Sequence, residues 1–334
     1  MKISSFLAAF ICLLTSCSGK SSALQTVIDP TLQTIITKHV SYEANKLNSE
    51  WGFGIMMDIQ SNTICANYST DTTHNYAFAP MEMGTLMQPF AILAALSTNK
   101  ISLDTTISIS HQGYQCCDRK IFDSHPLDTL LTIRDIIALS SNVGTCQLIE
   151  DAFKNDPLQM TKVYRDWGIC PFESQKEPTS ISPLLDYALG YHYTITPVKV
   201  ISLYSVLVHH ELNCSTSAQQ LVCQGLHDVV WNNELGTAAI NPWGIRKAQS
   251  DIVSIAGKTG SAQIYKDGKY LNKHHRISFV GYFPEDNPRY ICLIIFNDPK
   301  FPYDAGTNCG GCVRKIAEER YSGKTIKRTN HAPI

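Results

Sequence analysis

Apolar positions near the start of the chain recur at helical spacing behind a clear start signal. Asp29 is a favourable N-cap residue, and Pro30 suits the first position of a helix. The apolar positions that follow at helical spacing are Leu32, Ile35, Ile36, Val40, Ala44 and Leu47. This period predicts one amphipathic helix.

Two groups of strand-like segments enclose a middle, from about residue 85 to 235, that is mostly helical in pattern. Segments 51–58 and 63–68 are separated by Ile-Gln-Ser-Asn, which predicts a hairpin. The three later β-rich segments, separated by turn signals, are 253–265, 276–283 and 290–296. With a last helix at 309–321, the pattern predicts an α/β domain whose antiparallel sheet is assembled from both ends of the chain.

Composition and charge narrow the function classes. The chain has 334 residues, of which 44% are hydrophobic and 17% charged, so it can bury a sizeable core. One domain is expected, because no repeat or long low-complexity linker interrupts the pattern. The formal net charge of −1 favours neither nucleic acid nor an anionic membrane surface as a partner.

Residues 1–16 have the features of an export signal. Lys2 supplies the positive charge, and the apolar run 6–14 is too short to span a bilayer stably. The junction before Cys17 is similar to the lipobox of bacterial lipoproteins, so Cys17 is expected to carry a lipid that holds the protein on the inner or outer membrane. The alternative is an ordinary signal peptide with a chance cysteine. The expected divisions are a signal peptide at 1–16, a tether at 17–28, one domain at 29–321 and a tail at 322–334.

Cysteine is abundant, with twelve residues in the chain. Ten remain after Cys12 and Cys17 are set aside, and this even number in an exported protein predicts some disulfides. The pairs Cys309/Cys312 and Cys116/Cys117 suggest zinc, but nothing places the two pairs together, so neither a metal nor another cofactor is expected. The histidines expected to be loop or surface residues and not ligands are His125, His274 and His275.

Three short stretches are informative only together and in this order along the chain: Thr85-Leu-Met-Gln88, Ser140-Ser-Asn142 and Lys258-Thr-Gly260. Each alone would fit a helix end, a polar loop or a strand with a snorkelling lysine. Together they resemble the S-x-x-K, S-x-N and K-T-G motifs of the transpeptidase domain of penicillin-binding proteins, the serine acyltransferases that cross-link peptidoglycan.

The resemblance extends into the flanking sequence. Similar blocks in the same order are SSNVG at 140–144, GYHYTITPVKVISLYSVL at 190–207, GTA at 236–238, AGKTGSAQIY at 256–265 and SFVGYFPEDNPRY at 278–290. It covers about 29–321 and is closest to the division-type monofunctional class. It implies the fold shared with serine β-lactamases, an antiparallel five-stranded sheet packed by helices, with an all-helical insertion.

The resemblance also implies roles for individual residues. Ser140 would shuttle a proton to the leaving amine, and Asn142 would hold the substrate backbone. Backbone N–H groups of Thr85 and Ser261 would form the oxyanion hole. The residues expected to bind the terminal carboxylate of a D-alanyl-D-alanine stem peptide or a β-lactam are Lys258, Thr259, Gly260 and Ser261.

The first motif departs from the family, because Thr85 replaces the nucleophilic serine and Gln88 replaces the base lysine. A threonine hydroxyl can attack a carbonyl, but its β-branching crowds a helix start. A carboxamide cannot take up the proton, and general-base assistance is typically worth about 10²–10⁴ in rate. Thr85 and Gln88 also fit a capping box, in which each caps a backbone N–H of the helix start. A second S-x-x-K, at Ser97 and Lys100, is expected only to end that helix.

Three functions are therefore compared. The first is a non-catalytic periplasmic lipoprotein of cell-wall synthesis or division, which keeps a cleft for a stem peptide or β-lactam and works with other wall or division proteins. The second is a live D,D-acyltransferase or penicillin-binding hydrolase, in which Thr85 is activated by Lys258 or by Ser140 backed by Lys258. The third is a disulfide-stabilised binding module that uses the fold as a scaffold.

Overall fold

The computed structural model describes residues 24–117, 119–169, 177–300 and 302–322. The predicted signal peptide, the proposed lipid site Cys17, Cys170 and all but the first residue of the predicted tail lie outside these ranges. No helix in the described part of the chain is both long and apolar enough to cross a bilayer.

The described elements alternate between strands and helices along the chain. The strands are β1 (Gln25–Thr26), β2 (Trp51–Asp58), β3 (Thr63–Ser69), β4 (Thr106–Ile109), β5 (Tyr114–Cys116), β6 (Arg119–Ile121), β7 (Thr129–Thr132), β8 (Ala256–Lys266), β9 (Lys269–Phe283) and β10 (Tyr290–Asn297). The helices are α1 (Pro30–Lys46), α2 (Gln88–Ser97), α3 (Ile133–Leu139), α4 (Asn142–Phe153), α5 (Pro157–Asp166), α6 (Ile181–Ala188), α7 (Pro197–Val208), α8 (Thr216–Trp231) and α9 (Gly311–Tyr321).

The central sheet has the strand order β1-β3-β2-β10-β9-β8. The strands from β3 to β8 pair antiparallel, which confirms the predicted five-stranded sheet with strands from both ends of the chain. β2 and β10 are buried along their whole length, so they form the middle of the core. The two-residue strand β1 adds a parallel edge, so the end of the predicted tether pairs with the sheet.

Helix α1 begins as predicted, since the Asp29 side chain accepts hydrogen bonds from two backbone N–H groups and Pro30 occupies the first turn. It packs with α9 against the sheet, while α7 contacts β2 and β10 and α8 contacts β8. α2 is buried on every side between the sheet-bound helices and the helices of the middle region. This burial explains its uninterrupted apolar sequence.

The middle region is mainly helical but not wholly so. β4 pairs with β7, and β5 pairs with β6, as two small antiparallel sheets. In β4 exposed and buried residues alternate, which is the strand period that a search for helical spacing passes over. The insertion predicted as all-helical therefore carries two short β-ribbons.

The prediction of disulfides is wrong for the cysteines that the structure describes. All nine of them are free thiols. Most are buried as small apolar side chains, including Cys65 on β3 and Cys292 on β10, and burial raises the pKa of both thiols. Within the described ranges no group of three or more His, Cys, Asp or Glu side chains could hold a metal ion.

The histidines lie at or near the surface as predicted. His125 is exposed in the segment between β6 and β7. His274 and His275 lie on β9, where Nδ1 of His274 is 2.9 Å from Oδ1 of Asp298 and Nδ1 of His275 is 2.7 Å from the Tyr303 hydroxyl.

The start of α2 is held against β8 at a position that only glycine can occupy. Gly84 opens the 3₁₀ turn Gly84–Met87 that leads into α2, with φ +56°. A Cβ there would lie 2.1 Å from the backbone oxygen of Ser261. The Gly84 N–H also donates to the carbonyl of Gly190 at 3.3 Å. The turn that carries Thr85 is thus fixed from two sides by backbone atoms.

We expect Gly84→Ala to destabilise the fold by about 3–5 kcal/mol, since left-handed strain of about 1–2 kcal/mol is joined by a contact that backbone atoms cannot relieve. Gly268→Ala is the matched control: φ is +81° in the β8–β9 turn, but no atom lies within 4 Å of its Cβ position. It should lose only about 1–2 kcal/mol. Urea unfolding measures both, and equal losses would contradict the close approach.

Candidate active site

The three sequence motifs meet in one place. The 3₁₀ turn before α2 carries Thr85, the junction of α3 and α4 carries Ser140, and the first half of β8 carries Lys258. Thr85 reaches β8 through a hydrogen bond from its Oγ1 to the carbonyl of Thr259, and Gln88 reaches the helix junction. Segments more than fifty residues apart along the chain therefore line a common cleft.

The second motif is the short link between two helices. Ser140 ends α3 in the left-handed conformation, with φ 55° and ψ 41°. Ser141 caps α4: its Oγ accepts a hydrogen bond from the N–H of Gly144 at 2.8 Å and donates to Oδ2 of Asp123 at 2.7 Å. Asn142 is the first residue of α4. The tight link is what turns the side chain of Ser140 toward β8.

A chain of hydrogen bonds crosses the cleft. Nζ of Lys258 donates to Oγ of Ser140 at 2.5 Å, and that hydroxyl donates to Oε1 of Gln88 at 2.9 Å. Nε2 of Gln88 then donates to Oδ1 of Asn142 at 3.1 Å and to the Ser141 carbonyl at 3.4 Å. The carboxamide uses its acceptor and its donor group at once, which a lysine at this position could not do.

The capping box expected at Thr85 and Gln88 is wrong. Gln88 is the first residue of α2, behind the 3₁₀ turn, and neither that turn nor α2 has a side-chain cap. Its side chain is completely buried and bonds across the cleft, because a buried amide without partners would cost about 1–3 kcal/mol. A capping box does occur at the start of α3, between Thr132 and Asp135.

Lys258 is a buried amine and not a snorkelling one. It is 0% exposed, and its Nζ has two acceptors, Oγ of Ser140 and the carbonyl of Thr259 at 3.1 Å. No carboxylate is among its bonding partners in the described residues. Burial disfavours the charged form and lowers the pKa of Lys258 to about 7. Both protonation states are therefore populated near neutral pH.

The Thr85 hydroxyl is not hydrogen-bonded to a basic side chain in the described residues. Its one hydrogen bond in the described structure runs to the backbone carbonyl of Thr259, at a long 3.4 Å. The Ser140 hydroxyl, which would have to take the proton onward, donates to Gln88 instead. No hydrogen bond in the described residues joins the Thr85 hydroxyl to Ser140 or Lys258.

The β8 side of the cleft carries two hydroxyl groups, one of them on the residue that follows Lys258 in the sequence. Oγ1 of Thr259 is 2.8 Å from Oγ1 of Thr237, so two hydroxyls lie together beside Lys258. Ser261 is exposed at the next outward-facing position of β8. Gly260 lies between them where a Cβ would meet Oγ of Ser278 at 2.4 Å. The strand therefore carries hydroxyl groups that can bind an anionic group, with the buried amine of Lys258 behind them.

Three residues that support the site have no role predicted from the sequence. Asp123 accepts from Oγ of Ser141 and from the N–H of Val143, and the Phe122 carbonyl accepts from Nδ2 of Asn142 at 3.3 Å. Thr237 belongs to the GTA block, which had no side-chain role attached. The position of Thr237 next to glycine in that block was the only signal in the sequence for any of these three residues.

A cavity of about 700 Å³ extends beside the cleft, outside the three motifs. It lies between the segment before Gly84, the segment that starts in α6, and the β8–β9 hairpin. The lining residues with polar groups include Glu82, Asp186, His192, Tyr265 and Tyr270. Oε1 of Glu82 accepts from the Tyr270 hydroxyl at 2.7 Å and from the N–H of His192 at 2.8 Å.

Comparison with known proteins shows which family and which solved structures the chain is similar to. The family described as penicillin binding protein transpeptidase domain matches residues 52–318. The chain is 25% identical to the probable peptidoglycan D,D-transpeptidase PenA of Neisseria flavescens, over 81% of this chain and 75% of that protein. It is 21% identical to the peptidoglycan D,D-transpeptidase FtsI of Escherichia coli K12, over 92% of this chain. It spans 56% of the length of that FtsI.

Among solved structures, the apo transpeptidase domain of Burkholderia pseudomallei penicillin-binding protein 3 superposes with a TM-score of 0.75 at 19% identity. The match covers 88% of this chain and 94% of that one. At this identity the likeness concerns the fold.

The lowered pKa of Lys258 predicts a pH dependence of stability. The folded pKa of about 7 is below the ordinary 10.5, so the unfolded chain binds more protons between these values and stability rises with pH there. Lys258→Met removes this contribution. Between pH 7 and pH 9 we expect the wild type to gain about 2 kcal/mol in free energy of unfolding relative to Lys258→Met.

Urea unfolding at several pH values measures this difference. Lys266→Met, at the exposed end of the same strand, is the control and should follow the wild-type curve. Parallel curves for the wild type and Lys258→Met would show that the amine is not buried as described.

Proposed function

Because this chain belongs to the penicillin-binding protein transpeptidase domain family, we propose that it acts in peptidoglycan synthesis or cell division as a non-catalytic member with a retained peptide cleft. The observation that carries this proposal is the position of Gln88. Its carboxamide closes the hydrogen-bond chain from Lys258 through Ser140 to Asn142 and leaves Thr85 without a base.

Acyl transfer by a hydroxyl needs a group that accepts the proton as the C–O bond forms. A carboxamide is not basic near neutral pH, and loss of a general base typically lowers the rate by about 10²–10⁴. The methyl group of Thr85 adds a χ1 restriction at a turn fixed by Gly84. Both changes act on the same step, which supports a binding role over turnover.

The groups around Lys258 support the proposal that the cleft still binds a peptide ligand. Lys258, Thr259 and Thr237 offer an amine and two hydroxyls to the terminal carboxylate of a stem peptide or a β-lactam. A carboxylate bound there would favour the charged form of Lys258. Tyr265, on the same strand, lines the neighbouring cavity, and a peptide extended along β8 from Ser261 would reach it in about 13 Å.

We place this activity in the periplasm, on a membrane-anchored protein. The support is in the sequence: the export signal at 1–16 and the lipobox-like junction that would make Cys17 a lipidated N-terminus. Both lie outside the residues that the structure describes. Partner proteins of wall synthesis or division would meet the domain on the membrane surface.

One observation favours a second function, slow acyl transfer by Thr85. Lys258 contacts Ser140 and is partly neutral near pH 7, so it could accept a proton through that hydroxyl. The Ser140 hydroxyl would first have to exchange its bond to Gln88 for one to Thr85. The free thiols of the nine described cysteines give the third alternative, a disulfide-stabilised module, no support.

Labelling with a fluorescent penicillin tests the proposal. We expect no covalent adduct on the wild type, because no base activates Thr85. Thr85→Ser combined with Gln88→Lys should become labelled, since it restores nucleophile and base on an otherwise matching frame. Intact mass and gel fluorescence measure the adduct.

The matched control adds Lys100→Gln to the double variant. Lys100 is the lysine of the second S-x-x-K and lies three residues beyond Ser97, the last residue of α2. Labelling should therefore not change. A wild-type adduct that disappears in Thr85→Ala would establish the live enzyme instead. A folded double variant without label would mean that the cleft differs from an acylating one at further positions.

A further inference from the structure

Two neighbouring thiols meet at the tip of a hairpin next to the cleft. Cys116 ends β5, and Cys117 follows in the turn to β6. Their Sγ atoms are 3.7 Å apart without a bond. A disulfide requires an S–S distance of about 2 Å, so closing a ring between adjacent residues must change the backbone of the turn as well as the two side chains.

The two thiols are placed differently with respect to solvent. Cys116 is 2% exposed, and burial together with the neighbouring Glu150 raises the pKa of its thiol to about 12. Cys117 is exposed, and among the described cysteines it alone is. It also has φ +53°, an unusual conformation for a side chain other than glycine, asparagine or aspartate. An oxidant in solution therefore reaches Cys117 first, with Cys116 directly behind it.

We propose that Cys116 and Cys117 form a reversible thiol–disulfide site that a small-molecule or protein disulfide oxidises to a vicinal disulfide. The Cys117 thiolate attacks the disulfide R–S–S–R, forms a mixed disulfide and releases one thiolate RS⁻. Cys116 then gives its proton to the Glu150 carboxylate and attacks Sγ of Cys117, which releases the second RS⁻. Two cysteine thiols are oxidised, and one external disulfide is reduced to two thiols.

The position of the pair connects it to the cleft. β6 is three residues long, and its end leads directly to Phe122 and Asp123. These two residues hold Asn142 and Ser141 through backbone and carboxylate oxygens. Ring closure at Cys116 and Cys117 acts on the hairpin from which this support emerges. The site is independent of whether Thr85 acylates.

Peptide mass mapping of the full chain tests the proposal. Trypsin releases residues 101–119 between Lys100 and Arg119, and this peptide contains no other cysteine. After oxidised glutathione, acid quenching and alkylation, we expect the peptide to lack two hydrogen atoms and to carry no alkyl group. Dithiothreitol should restore two alkylated thiols.

Two variants separate the roles of the thiols. Cys116→Ser should accumulate a glutathione mixed disulfide on Cys117, because the second step is removed. Cys117→Ser should leave Cys116 unmodified in the folded protein, because that thiol is buried. Cys214→Ser, which removes a half-buried thiol elsewhere, should leave ring closure unchanged.

Comparison with unfolded protein shows whether the fold brings the thiols together. In native protein the ratio of closed ring to mixed disulfide should exceed that in urea by on the order of tenfold, since the structure holds the two sulfur atoms in contact. A wild-type peptide that retains only a mixed disulfide, or whose ratio is the same in urea, would overturn the proposal.

Discussion

The Lys258 side chain carries an amine into a fully buried position between β8 and the link from α3 to α4. Buried amines are costly unless they have acceptors, and the acceptors here are one hydroxyl and one backbone carbonyl. This requirement ties the strand to Ser140, whose left-handed backbone exists because two helices meet there without a longer loop. The rest of the cleft is arranged around that contact.

Gln88 fits this arrangement better than it would fit catalysis. A lysine in its place would set a second ammonium near the first, and at about 5 Å and an effective dielectric constant of 20 two such charges repel by about 3 kcal/mol. The neutral carboxamide accepts from Ser140 and donates to Asn142 with no such cost. Burial is then the cause that sets the pKa of Lys258. Glutamine at position 88 therefore satisfies the network without adding a second charge.

The fold is that of the family, although residues 85 and 88 are threonine and glutamine. Gly84 packs against a backbone oxygen of β8 and Gly260 packs against the Leu86 side chain, and these close contacts hold the turn of Thr85 against β8. The family match over residues 52–318 and the TM-score of 0.75 at 19% identity to a solved transpeptidase domain both show this shared fold. Packing constraints are spread over many residues, whereas proton transfer depends on one or two side chains, so the second can be lost without the first.

Local patterns in the sequence were sufficient for the elements. The helix after Asp29, the hairpin at 51–68 and the later strands follow from periods and turn signals between near neighbours, whereas the three motifs were identified by their resemblance to a family. Those signals are local because backbone hydrogen bonding and one-sided burial repeat within a few residues. The short ribbons of the middle region were missed because three or four residues are too few to establish a period.

Only the tertiary structure decided where the polar side chains point. Gln88 was expected to cap its own helix, but its partners are more than fifty residues away on the α3–α4 link. Asp123 and Thr237 enter the site in the same way, and the nine described cysteines are free thiols although their number in the sequence predicts disulfides. A buried polar group bonds to whichever partner the packed chain brings within hydrogen-bonding distance, and that partner is set by long-range geometry that no local pattern contains.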